Sequence, residues 1–334
     1  MKKILKFLFL SLNLDFFIRK FNKTPRILFW HGVDFIKNNQ VEAESFHVED
    51  FKKQIDFLNK YYEIISIEEF YKRFIEDSFT KKEVVLTFDD GYLNNLTVVA
   101  PYLNEKNIPF TVFVSTEHIE TGELFPTSIA RLIIFGTNLK EISIPTLMIN
   151  ESKISNSTEK KEIYNLVSFA LKNSPVDKVR DIVDDLKNNL TKKKYNLLVQ
   201  SYSSVLPMNW EQLRQLKEQG ATIGSHCKYH ICCHKKQNYN VVKDQIQQSK
   251  VILEKKLDYI CDFFAYPNGD YTLESNKFVK ESGYKMGFSV EKKRISKSLN
   301  NISAIPRLGV PSDLDSLKLI MAFYPKVKFK AYNI

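Results

Sequence analysis

The feature that most constrains this chain is a rhythm. Short β-branched or aromatic runs alternate with longer stretches whose apolar residues recur at helical spacing. Residues 26–30, 84–88, 110–114, 221–224, 263–266 and 285–289 read as strands. Residues 46–61, a stretch ending at 104, 210–219, 239–257 and 276–282 read as helices between them. Such alternation predicts an α/β fold: a mostly parallel sheet with crossover helices, open or closed into a barrel. The rhythm breaks from about 118 to 206, where two charged amphipathic helices (158–173 and 176–190) and a hairpin near 139–148 are expected. This stretch reads as an insertion between barrel strands, with too little apolar density for a core of its own. The chain thus divides into a basic amphipathic segment (1–25), the main α/β unit with its insertion (26–311) and a basic tail (312–334).

Charge and cysteine usage exclude several classes. With 43% hydrophobic and 26% charged residues, the 334-residue chain is neither disordered nor low-complexity. Four cysteines (Cys227, Cys232, Cys233, Cys261) are too few for a disulfide scaffold. The formal charge is +10. Residues 1–26 carry seven basic side chains against Asp15 alone, and 277–334 carry twelve against four acidic ones. No zinc-finger spacing, RNP-type aromatic motif or heptad run accompanies this charge, so no nucleic-acid partner is expected. At the N-terminus Lys6, Asp15 and Arg19 interrupt the apolar run, and no small-residue cleavage site follows. Ile4, Leu5, Leu8, Leu12 and Phe16 recur near helical spacing, which suits an amphipathic helix on a membrane face or on the domain. A cytoplasmic or membrane-peripheral location is expected.

Chemistry-bearing residues collect at strand ends, where α/β folds place their sites. His31 follows the first strand and Asp89-Asp90-Gly91 the second; Ser225-His226, with His230, and Asn268 after Tyr266-Pro267 follow later ones. A turn at Gly91 can bring both carboxylates into one site, where one neutralises a cation and the other carries a proton. Two histidines four residues apart can reach one Zn²⁺, and a carboxylate as third ligand leaves a position open for water. The interleaved cysteines also permit a structural zinc clip. However, Cys232 and Cys233 are adjacent and no second pair lies at finger spacing, so they read as small core residues. Trp210 opens a helix; His47, His118 and His234 receive no role.

TFDDG, SHxxxH, the YPxG turn and PRLGV together resemble the polysaccharide deacetylases, carbohydrate esterase family four with the NodB homology domain. ILFWHGV and the segment FHVEDFKKQIDFLNKYYEIISIEEF are similar to the branch containing poly-N-acetylglucosamine deacetylases. The resemblance covers roughly 26–116 and 207–311. It implies a distorted (β/α)7 barrel of the NodB type and metal-dependent removal of an N-acetyl group from a sugar in a polysaccharide or glycan. By position it makes Asp90, His226 and His230 the metal ligands, Asp89 the general base and His31 the general acid. The backbone N–H of Asn268 would meet the oxyanion, with Tyr266 and Arg307 beside the substrate. One divalent metal is implied; two imidazoles and a carboxylate favour zinc, and the same ligands hold Co²⁺ or Ni²⁺.

Two departures stand out. The family's usual third motif has an arginine where this chain has Ala265, leaving Arg307 as the substitute that steers Asp89 or as a surface ion pair. The usual leucine-x-histidine motif is missing, which shifts weight to His31. Removal of O-acetyl or other acyl groups on the same fold, or an inactive carbohydrate binder, are the competing expectations.

Overall fold

The computed structural model describes residues 10–12, 14–22, 24–80, 82–291, 293–296 and 301–323. Ile4, Leu5 and Leu8 of the expected N-terminal helix, and residues 324–334 of the tail, lie outside them. Seven parallel strands follow one another around a closed barrel: β1 (Arg26–Trp30), β2 (Glu83–Phe88), β3 (Thr111–Val114), β4 (Thr222–Ser225), β5 (Phe263–Ala265), β6 (Met286–Val290) and β7 (Ile305–Gly309). β7 pairs back onto β1, Leu308 level with Leu28, and β1 pairs with β2, Leu28 level with Leu86. This is the (β/α)7 barrel.

Closure explains the unbroken apolar strands. Every residue of Glu83–Phe88 is buried, because a parallel strand here is covered on both faces. Leu28, Trp30, Leu86, Phe88, Val112 and Val114 face the surrounding helices. Their neighbours Ile27, Val85, Phe113, Ala265, Phe288 and Ile305 fill the barrel. Gly224 of β4 is required by this filling: a Cβ there would sit 2.4 Å from the ring of Phe113.

The six strands expected from sequence are present within a residue or two of their expected bounds. The seventh, Ile305–Gly309, is not readable as a strand, because Pro306 lacks a ladder donor and Gly309 reads as a turn. The insertion departs further from expectation. Its helices Pro126–Phe135, Ser157–Asn173 and Val176–Asn188 bury Ile129, Leu132, Ile133, Val167, Ile182 and Leu186 in a hydrophobic cluster of their own. Ser157–Asn173 and Val176–Asn188 are charged outside one apolar stripe each; the core appears only when those stripes pack on the apolar helix Pro126–Phe135. The hairpin pairs Glu141–Ile144 with Ile149–Lys153. A further helix, Lys192–Ser201, escapes the sequence pattern. The insertion rejoins the barrel at the mouth, where Leu93 N–H donates to Leu206 O (2.8 Å) and Met208 N–H to Gly91 O (3.0 Å). No helix among the described residues is long and apolar enough to cross a membrane.

Candidate active site

The strand ends converge at the mouth as expected, and the turn after β2 is the centre. Asp90 and Gly91 both take a left-handed backbone (φ 74° each). A Cβ at Gly91 would strike Val114 Cγ1 at 2.6 Å, so only glycine fits. This turn leaves both carboxylates buried, side by side but facing different partners.

Asp89 continues the inward face of β2 and meets Arg307 from β7. Arg307 donates from both terminal nitrogens to the two Asp89 oxygens at 2.7 Å each, and also to Thr87 Oγ1 at 3.1 Å. Its guanidinium lies over the rings of Phe29 (4.9 Å) and Phe113 (5.2 Å). Burial opposes ionisation of Asp89, but the charge of Arg307, with His226 behind it, holds the carboxyl below its usual range. Arg307 is only 1% exposed, so the surface ion pair is excluded. Its burial behind Asp89 also corrects its placement beside the oxyanion: its hydrogen bonds go to Asp89 and Thr87.

Asp90 faces the loop after β4. His226 Nδ1 lies 2.7 Å from Ala265 O, and because a carbonyl only accepts, Nδ1 carries the proton and Nε2 presents its lone pair. Left-handed conformations at Cys227 (φ 63°) and His230 (φ 48°) fold the loop back, so the pair flanks a tight loop and does not ride a helix. Gln245 pins that loop by accepting from Tyr229 N–H at 2.7 Å. His230 Nε2 then stands 3.2 Å, and His226 Nε2 3.7 Å, from Asp90 Oδ1. Burial pushes the His226 imidazole down to about 4, which keeps it neutral.

These residues fit a cation. Asp90 Oδ1 is buried and has no hydrogen-bond partner among the described residues. A neutral imidazole lone pair aimed at a carboxylate oxygen is repulsive unless a positive charge lies between them. Among the described residues Asp90, His226 and His230 form a three-ligand group whose donor atoms all lie within 4.8 Å of one another.

His31 stands at the rim, part-exposed, with Nδ1 3.7 Å from Glu44 Oε2. Glu44 in turn is 2.6 Å from the guanidinium of Arg131, a buried residue of the insertion helix Pro126–Phe135. Burial would raise the Glu44 pKa, but Arg131, with His31, holds it at about 2. Sequence reasoning missed both residues. Glu44 sits in an irregular loop with no motif around it, and Arg131 lies in an apolar helix remote in the chain.

Asn268 occupies the turn after β5 in a left-handed conformation (φ 57°), its side-chain amide donating to Asp270 at 2.8 Å. Tyr266 is not part of the site. Alternation along β5 turns Ala265 inward and Tyr266 outward, where its hydroxyl donates to Asn276 Oδ1 at 2.8 Å, fully buried. The four cysteines are buried and free, as small core residues. His47 caps the helix Val48–Tyr61, and His118 is buried against Glu123 O at 2.8 Å. Trp210 opens its helix with its indole bonded to Glu120, which is exposed.

The family model for polysaccharide deacetylase matches residues 76–165 and 173–287. His31, Glu44 and Arg307 lie outside the matched residues. Among solved structures, the Streptococcus pyogenes deacetylase PplD, determined with acetate, superposes with a TM-score of 0.58 at 16% identity. It covers 90% of this chain and 98% of its own. IcaB from Ammonifex degensii gives 0.57 at 14%, covering 90% and 97%. The BpsB deacetylase domain of Bordetella bronchiseptica gives 0.51 at 15%, covering 86% and 96%. Among curated proteins no sequence matches significantly. The barrel is the fold those structures share, and the family match spans more than half of the length; the chain belongs to the polysaccharide deacetylase family, of the NodB barrel type.

Proposed function

We propose that this chain is a divalent-metal-dependent deacetylase that removes N-acetyl groups from an N-acetylated sugar in a polysaccharide or glycan. The observation that carries the reading is the division of labour between adjacent carboxylates: Asp90 faces two imidazole nitrogens while Asp89 is locked to Arg307. Asp90, His226 and His230 would hold the cation, and the donor set favours zinc. Bound there, it would lower the pKa of a water and polarise an acetyl carbonyl.

The remaining steps belong to the side chains. Asp89 accepts the proton of the attacking water; Arg307 occupies one lone pair on each of its oxygens and keeps it ionised and aimed. The backbone N–H of Asn268 is the proposed donor to the oxyanion. As the C–N bond breaks, the amine leaves with a proton from His31, and acetate and a free amino sugar result. Glu44 lies on the Nδ1 side of His31, leaving Nε2 for the leaving nitrogen.

The test is acetate release by chelated and metal-reloaded protein from a panel of N- and O-acetylated oligosaccharides. Release from N-acetylhexosamine oligomers that disappears on chelation and returns with Zn²⁺ is the expected result. Release from O-acetyl sugars alone, or release untouched by chelation, would overturn the reading.

A further inference from the structure

The helix Leu14–Phe21 is built inside out. The face it lays on the barrel carries its charges: Asp15 and Arg19 are buried, and paired at 2.8 Å. The Arg19 guanidinium lies over the rings of Phe57 (4.8 Å) and Tyr61 (5.0 Å). Leu14, Phe17 and Phe21, at i, i+3 and i+7, share the opposite face and are 41%, 58% and 77% exposed. A helix held only by its domain turns the apolar stripe inward and the charges out. Here a desolvated ion pair and cation–ring contacts hold the helix, which leaves the stripe for something else.

Charge says what that is. Asp15 is the only acidic residue in the first 26, and Arg19 neutralises it in the buried pair. Every other charged side chain of the segment is positive: Lys20 beside the stripe, Lys2, Lys3 and Lys6 ahead of it, and Lys23 and Arg26 after it. Exposed phenylalanines flanked by lysines match a lipid headgroup layer carrying negative charge. We infer that the Leu14–Phe21 helix docks this protein on an anionic membrane surface, with Phe17 and Phe21 inserted among the headgroups.

The helix leads into Arg26, the first residue of β1, whose guanidinium donates to Met321 O at 2.9 Å. It therefore sits at the strand-start end of the barrel, whereas the candidate site gathers at the strand-end mouth. Docking holds the protein at the surface with the mouth at the other pole, open to a glycan chain reaching away from the lipid.

The test is co-sedimentation of the full chain with phosphatidylcholine vesicles, with and without roughly a third of phosphatidylglycerol, at low and high salt. Binding to the anionic vesicles that weakens with salt is expected, and the double variant Phe17→Ser/Phe21→Ser should bind at least about tenfold more weakly. Both positions are exposed, so melting temperature and acetate release from soluble oligomers should match the wild type. No vesicle binding, equal binding by the double variant, or a soluble dimer that the variant dissolves would each overturn the inference. A failure of deacetylation on soluble oligomers by the wild type would count against the proposed function alone.

Discussion

The two ends of the candidate site are built differently. At the proposed base end, Asp89, just past strand β2, meets Arg307 of strand β7 through two 2.7 Å bonds, both side chains buried and rings packed against the guanidinium. At the proposed acid end, His31 and Glu44 are 3.7 Å apart and part-exposed, and the contact that anchors Glu44 comes from Arg131 in the insertion. A pair fixed by closed-barrel hydrogen bonding is preorganised. A relay spanning a strand end, a loop and an inserted helix can be retuned without disturbing the barrel. Removing parts of each end should therefore have different consequences.

The largest effects fall where both ends meet. Asp90→Ala or His226→Ala should lose bound metal and all turnover, each removing one of three protein ligands. Stoichiometric metal in either purified variant, measured by elemental analysis, would refute the ligand set.

The base end should fail in stability as well as in rate. Asp89→Asn should keep the metal and lose roughly 10²–10⁴ in kcat, because an amide cannot take the water's proton. Arg307→Met should cost about 3–5 kcal/mol in urea unfolding, since it leaves the Asp89 carboxylate buried without its partner. Near-wild-type stability in that variant would mean water replaces the guanidinium, and the contrast between the ends would shrink.

The acid end should fail selectively. His31→Ala should lower kcat on an N-acetyl sugar by roughly 10²–10⁴ and spare an aryl acetate, whose leaving group needs no proton. Glu44→Gln and Arg131→Met should produce the same selectivity more weakly, at about tenfold, because they act through His31. Equal losses on both substrates would make all three structural. The Glu44 carboxyl, at about 2 in the fold against a usual 4.5, contributes stability that is complete above pH 4.5 and lost as pH falls to about 2. Thermal melts of Glu44→Gln should lack that acid-side decline. The smallest effect should come from Tyr266→Phe: unchanged turnover, with about 1 kcal/mol lost as Asn276 gives up its partner. A marked loss of turnover would return Tyr266 to the site.

Legibility followed sequence distance. The cluster of Asp90, His226 and His230 was readable because its pattern is local: adjacent aspartates before a glycine, and two histidines four apart. The left-handed turns that converge them involve Asp90, Gly91, Cys227 and His230, all inside those short motifs. Tyr266 was misplaced because the YPxG turn marks a strand end without saying which neighbour faces inward. The insertion's core was missed because the apolar helix Pro126–Phe135 has no amphipathic pattern to mark it, and the two charged helices that cover it show only one narrow stripe each.

The sequence by itself determined the α/β class, six of the seven barrel strands, the four strand ends that carry polar chemistry and the residues Asp89, Asp90, His226 and His230. Only the tertiary structure decided what stands in for the arginine absent at Ala265, what Glu44 does beside His31, and which face of the Leu14–Phe21 helix is turned outward. Arg307 lies 218 residues from Asp89, and only closure of β7 onto β1 and β1 onto β2 brings them together. The reason is that periodicity and motif spacing encode interactions within one element or turn. A pair formed between distant strands depends on barrel closure and register, which the local pattern of either strand does not contain.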